Sequence, residues 1–120
     1  SVEELKEKVD YVSLLFRQID RCCASKSLED FCRAVEHLRI LSVPFYDQEF
    51  LESVKVLNDT YDKEISELEK SRDYWFLPKK EQVEAKNQVV YERYIGLFRA
   101  IIDLLNRKGV IIERLRVGKE

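Results

Sequence analysis

The sequence contains few of the residues that interrupt helices. Its 120 residues include only three glycines and two prolines, whereas charged residues make up 37% and hydrophobic residues 45%. Such a composition argues against a fold of short strands and turns and favours long amphipathic helices. The length suits one domain with a single buried core. We therefore predict one all-α domain that covers residues 1–120.

Long apolar runs are also missing. No stretch reaches the roughly 18 consecutive apolar residues typical of a membrane-spanning helix, so we predict no membrane span. The opening residues, SVEELKEKVD, are amphipathic and acidic, which is unlike a signal peptide. With no visible secretion signal, we expect a cytoplasmic or virion-associated protein.

Residues suited to catalysis or ligand binding are equally scarce. The single histidine, His37, cannot form a metal site built on a histidine pair. The glycines, at positions 96, 109 and 118, are too dispersed to build a phosphate-binding loop. Carboxylates are numerous but follow charged helix faces, where solvation is the ordinary explanation. We expect no enzyme, no cofactor, and no catalytic, cofactor-binding or metal-binding residue.

Three cysteines, Cys22, Cys23 and Cys32, leave several possibilities open. Adjacent cysteines point about 100° apart on a helix, and structural zinc sites prefer two cysteines separated by two to four residues. In a helical hairpin, Cys23 and Cys32 would be offset by about one turn, which strains a disulfide. Buried or free thiols are favoured, with a disulfide and a metal site as alternatives.

Four segments have the spacing of amphipathic helices, with boundaries at about 2–24, 28–41, 47–73 and 78–108. Short breaks between them predict antiparallel hairpins, and Gly109 after two bases is a helix stop. We predict an antiparallel four-helix bundle made of two helical hairpins with coiled-coil packing. The first helix has an apolar stripe at heptad spacing that should face the core: Val2, Leu5, Val9, Val12, Phe16, Ile19 and Cys23.

The tail over residues 109–120 contains VIIERLRV at 110–117, whose β-branched residues favour a strand. No other segment resembles a strand, and an isolated strand is unstable. We therefore predict a short C-terminal strand or tail. It could pair with a second subunit, add to a partner's sheet, or form a short helix on the bundle.

The stretch SRDYWFLPKKE, residues 71–81, lies between the third and fourth helices. Pro78 suits the first position of a helix, where no amide hydrogen is needed. Four apolar residues in a row exceed what one tight joint needs. We expect Trp75 and Leu77 to be buried against the bundle end, and Tyr74 and Phe76 to be exposed.

The last helix has more apolar surface than one groove can bury, which predicts self-association as a dimer or larger assembly, or binding to another protein. We expect a structural, assembly or adaptor role. Abundant Lys, Arg and Glu with few Gln and no Met favour a thermophile, and a virus or mobile element is a plausible source. The candidate partner-binding residues are Tyr74, Trp75, Phe76, Tyr91, Phe98, Ile111, Ile112, Leu115 and Val117.

The alternative function is binding to nucleic acid or the transcription machinery. The net charge of −2 offers no general basic field, but its distribution is uneven. Residues 44–74 contain nine acids and four bases, and residues 75–120 contain ten bases and six acids. A basic C-terminal region could contact phosphates. The candidates are Lys79, Lys80, Arg107, Lys108, Arg114, Arg116 and Lys119.

Overall fold

The computed structural model describes residues 1–111, and this part of the chain is all-helical with no strand. This confirms the predicted all-α class. Residues 112–120, which include most of the predicted strand or tail, lie outside the described residues. None of the described helices is long and apolar enough to cross a bilayer. The elements are α1 (Val2–Ala24), α2 (Leu28–Leu41), a 3₁₀ turn (Val43–Phe45), α3 (Gln48–Lys70), α4 (Arg72–Phe76) and α5 (Lys79–Arg107).

Side-chain caps explain where the first three long helices begin. Ser1 and Glu4 form a capping box at the start of α1. Ser27 accepts a hydrogen bond from the backbone amide of Asp30 at the start of α2. Asp47 similarly accepts from the backbone amide of Phe50, at 2.8 Å, at the start of α3. Each cap satisfies a backbone donor that has no partner inside its helix.

The end of α5 is a left-handed cap. Gly109 has φ +73°, a conformation that side chains with a Cβ rarely adopt. Its amide donates to the carbonyl of Asn106 at 3.0 Å, and the amide of Val110 donates to the carbonyl of Leu105 at 2.9 Å. This pair of bonds is a Schellman motif. The chain reversal brings Ile111 into the hydrophobic core.

The third helix is shorter than predicted. It ends at Lys70, because Ser71 is extended with φ −75° and ψ 128°. The short helix α4 follows, and Leu77 is again extended, with φ −69° and ψ 148°. Pro78 precedes α5 as its N-cap instead of occupying its first position. The joint between α3 and α5 is therefore a helical turn between two extended residues.

Helix α1 runs antiparallel to α2. The hydroxyl of Tyr11 donates to the carbonyl of Leu41, the last residue of α2. Seven residues further along α1, the buried Gln18 donates to the carbonyl of Ala34 at 3.0 Å. As the position on α1 advances, the partner on α2 moves back, so the two helices point in opposite directions.

Helices α3 and α5 also run antiparallel, and α2 packs against α5. Arg93 donates to Asn58 at 2.8 Å, and Arg107 donates to Asp47 at 2.9 Å. Phe31 of α2 contacts aromatic rings of α5. The most deeply buried side chains come from α1, α2, α5 and the cap: Leu15, Val35, Leu38, Leu97, Ile101, Leu104, Leu105 and Ile111.

The first half of α1 does not face the core as the heptad pattern predicts. Val2, Leu5 and Val9 are 83%, 64% and 58% exposed. The buried positions of this helix are instead Leu15, Gln18 and Cys22, and Cys23 is exposed. Because Tyr11 already contacts the last residue of α2, the residues before it extend past the end of that helix. The molecule is accordingly elongated, with extents of 63 × 30 × 27 Å.

Candidate functional site

An open groove lies between the turn that joins α1 to α2 and the side of α5. Its volume is about 840 Å³. Residues from α1, the turn, α2 and α5 all contribute to its walls. The lining residues are Cys22, Cys23, Ser25, Lys26, Ser27, Leu28, Phe31, Glu84, Asn87, Gln88, Tyr91, Ile95, Phe98 and Arg99.

Aromatic rings form the apolar floor of the groove. Tyr91 and Phe98 lie two turns apart on the same face of α5. Phe31 of α2 contacts both, with ring centroids 5.8 Å from Tyr91 and 6.5 Å from Phe98. Phe31 and Phe98 are half-buried, whereas Tyr91 is 43% exposed. These contacts bring two of the predicted partner-binding residues, Tyr91 and Phe98, into one surface.

Charged and polar side chains surround this floor. Lys26 lies on the turn, and Glu84 and Arg99 lie on α5 at opposite ends of the α5 wall. An apolar floor with a charged rim suits recognition of an amphipathic segment, because apolar contact supplies affinity and the rim supplies orientation.

Two of the three cysteines, Cys22 and Cys23, line the groove. Cys22, Cys23 and Cys32 are free thiols. Burial raises the pKa of Cys22 to about 11, so its thiol stays protonated at neutral pH and is a poor nucleophile. His37 lies exposed on α2. Within residues 1–111, no group of three His, Cys, Asp or Glu side chains is arranged to hold a metal ion.

At the aromatic joint, the predicted burial is reversed for Tyr74 and Trp75. Tyr74 is 4% exposed, whereas Trp75 is 57% exposed; the expected exposure of Phe76 is correct at 85%. The ring of Trp75 packs edge-on against Tyr74 at 5.0 Å, and its Nε1 donates to the carbonyl of Glu69 at 2.6 Å. The extended Ser71 resets the helical rotation before α4, which turns Tyr74 inward. Leu77, expected inside, is half-buried.

The remaining predicted partner-binding residues are less accessible or undescribed. Ile111 is buried in the core, so its side chain is not an exposed contact. Ile112, Leu115 and Val117 lie outside the described residues, as do the basic candidates Arg114, Arg116 and Lys119. Lys79 and Lys80 are exposed at the start of α5.

The two other basic candidates form ion pairs within the molecule. Arg107 lies 2.9 Å from a carboxylate oxygen of Asp47, and Lys108 lies 3.1 Å from the other oxygen. Arg107 also contacts Glu49 at 3.0 Å. The pKa of Asp47 is lowered to about 2, chiefly by the backbone amide of Phe50 and then by the two bases. These bases thus connect the start of α3 to the end of α5.

The sequence pattern did not assign Leu28 and Phe31 to a contact surface. The available signal was their position: Leu28 and Phe31 occupy the first turn of α2, immediately after the turn that forms one wall of the groove. Their pairing with α5 depends on how the two hairpins meet, which no local pattern specifies.

Comparison of the chain with protein-family models, with curated proteins and with solved structures finds no match.

Proposed function

We propose that this is a non-enzymatic helical protein that acts through protein–protein contacts, in a structural, assembly or adaptor role, and that the groove beside α5 is its contact surface. The observation that supports this most directly is Tyr91, a large aromatic side chain left 43% exposed beside the ring of Phe31. Exposed aromatics in an apolar depression are typical anchors of protein interfaces.

The expected occupant of the groove is an amphipathic helix. A helix docks in a groove through apolar residues spaced three or four apart in sequence, because this spacing places them on one face of the helix. The floor offers Leu28, Phe31 and Ile95 to such residues, and the rim offers Lys26 and Arg99 to acidic neighbours.

We also propose that the helices form an antiparallel four-helix bundle made of two hairpins. The antiparallel contacts between α1 and α2 and between α3 and α5 support a four-helix bundle of two hairpins. An origin in a virus or mobile element of a thermophile, and a cytoplasmic or virion-associated location, remain predictions from composition.

The contacts favour protein binding over the nucleic-acid alternative. Arg107 and Lys108 are engaged with Asp47, so using them for phosphates would cost the ion pairs that they already make. Lys79 and Lys80 are exposed, but Glu81 follows them directly.

Light scattering with a gel-shift assay tests the proposal. We expect a mass that rises with protein concentration, or a stable complex with another protein, and no salt-sensitive shift of DNA or RNA. Tyr91→Asp in the groove should abolish the association. Val56→Asp, at an exposed α3 position outside the groove, should not. If both variants associate like the wild type, the groove is not the contact surface.

A further inference from the structure

Two surfaces of this molecule expose apolar side chains that no described residue covers. One is the α1 overhang, which we define as residues 2–10; the other is the groove. We propose that the α1 overhang of one copy occupies the groove of a second copy, so that identical molecules associate head to tail. This inference rests on the proposed function of the groove and adds the identity of the occupant.

The α1 overhang has the form of a docking helix. Val2, Leu5 and Val9 line one face at heptad spacing, and all ten residues from Ser1 to Asp10 are exposed. A helical segment this short gains little stability without a tertiary contact on its apolar face. Within the described residues, no helix packs against these three side chains, so a contact with a second molecule would stabilise them.

The groove and the side of α5 next to it have the length to receive this helix. Helix α2 begins at Leu28, whose neighbour Phe31 already lies opposite Tyr91. The preceding part of α5, residues 79–90, therefore extends past the α1–α2 turn, and Val83 is exposed there. At about 1.5 Å per residue, this stretch measures about 18 Å and the overhang about 14 Å.

The charges of the two surfaces match. Residues 1–10 carry four acids, Glu3, Glu4, Glu7 and Asp10, against two lysines. The groove rim carries Lys26 and Arg99 against Glu84. An acidic helix approaching a rim with more bases than acids is attracted and oriented by it.

The same charges disfavour the simplest alternative, which is an antiparallel pairing of two overhangs. Each overhang carries four acids and two lysines, so two paired overhangs would bring together surfaces of the same net sign, which is unfavourable. The groove rim instead carries more bases than acids.

Because the overhang and the groove are different surfaces, the contact is heterologous. Such a contact leaves an unused overhang on one molecule and an unused groove on the other, so association continues into a chain or closes into a ring. This predicts a series of masses in place of a single dimer.

A complementation experiment with two variants tests the inference. Leu5→Asp disables the overhang but keeps the groove; Tyr91→Asp disables the groove but keeps the overhang. By light scattering, the wild type should grow beyond a dimer as its concentration rises, and each variant alone should stay monomeric. An equimolar mixture of the variants should form a 1:1 dimer and nothing larger, because only one functional interface remains.

Matched controls separate loss of contact from loss of fold. Val56→Asp should assemble like the wild type, and helicity by circular dichroism should be unchanged in all variants. If a variant loses helicity, the milder Leu5→Ala and Tyr91→Ser replace it, each expected to weaken self-association at least tenfold.

The outcomes distinguish this inference from the proposed function. If Tyr91→Asp abolishes association and Leu5→Asp does not, the groove binds a partner other than the overhang, and only the inference fails. A dimer that stops at two copies in the wild type, or variants that do not restore a dimer on mixing, also overturns the head-to-tail contact. If neither substitution affects the assembly, both proposals fail.

Discussion

The carboxylate of Asp47, at the start of α3, accepts a hydrogen bond from Arg107, at the end of α5, at 2.9 Å. The same carboxylate caps α3 through the backbone amide of Phe50. One side chain therefore defines the start of α3 and joins it to the end of α5, through a residue 60 positions later in the sequence.

This arrangement predicts an acid-dependent loss of stability. The pKa of Asp47 is about 2 in the folded protein against an ordinary 3.8, so the folded state favours the ionised form. The resulting stability is present above about pH 4 and is lost as the pH falls through about 2. In urea titrations, Asp47→Asn should be less stable than the wild type at pH 6, and this difference should shrink below pH 4.

The control is Asp62→Asn, on the exposed face of α3. It should follow the wild-type pH profile. An Asp47→Asn difference that is the same at pH 6 and pH 2 would contradict the assigned role.

The aromatic joint predicts unequal costs for two neighbouring truncations. Tyr74 is buried, so Tyr74→Ala should reduce the free energy of unfolding by about 3 kcal/mol or more. Trp75 is largely exposed and contributes one indole hydrogen bond, so Trp75→Ala should cost about 1 kcal/mol. Urea unfolding followed by circular dichroism measures both losses of unfolding free energy. A larger loss for Trp75→Ala than for Tyr74→Ala would show that the indole contributes more to the stability of the joint.

The close approach of α3 to α5 predicts a size limit at Gly96. A Cβ at this position would lie 2.6 Å from Cδ1 of Leu57, the flexible end of that side chain. For Gly96→Ala, the gain in helix propensity of about 1 kcal/mol should offset the cost of moving Leu57, leaving stability nearly unchanged. Gly96→Leu should destabilise the protein by about 1–3 kcal/mol through overpacking.

The second substitution Leu57→Ala checks the cause. It should recover part of the Gly96→Leu loss, because it removes the side chain that occupies the space. If the stability changes of Gly96→Leu and Leu57→Ala are additive, the contact with Leu57 is not what restricts side-chain size at position 96.

Leu38 and Leu5 both lie on the apolar stripe of their helix, but truncating them should change the stability by different amounts. Leu38 is fully buried, so Leu38→Ala should cost about 2–5 kcal/mol. Leu5 is exposed in the single molecule, so Leu5→Ala in dilute solution should change stability by less than about 0.5 kcal/mol. Thermal unfolding at low protein concentration makes this comparison, and a large Leu5 effect there would mean that the overhang packs within its own molecule.

The starts of α2 and α3 and the end of α5 were the most predictable parts of the fold, because they depend on local chemistry. Ser27 and Asp47 accept hydrogen bonds from amides three residues ahead, and Gly109 supplies the left-handed residue at the end of α5. These interactions involve neighbours in the sequence, so residue type and spacing were sufficient to place them.

Which side of each helix is buried was less predictable, because it depends on which other helices pack against it. The heptad stripe of α1 extends past α2, so its first three members are exposed in the part of the chain that the structure describes. Gln18, a polar residue, is buried instead, because Ala34 and Arg21 satisfy its amide group. At the joint, a single extended residue, Ser71, changed the rotation that the α3 pattern would have continued.

Trp75 also provides an optical signal. It is the chain's single tryptophan, and its indole is hydrogen-bonded across the joint between α3 and α4. Its fluorescence therefore reports on that joint, while circular dichroism reports on all the helices together. A fluorescence transition that precedes the dichroism transition would show that the joint opens before the body of the protein unfolds, whereas coincident transitions would show that the two unfold as one cooperative unit.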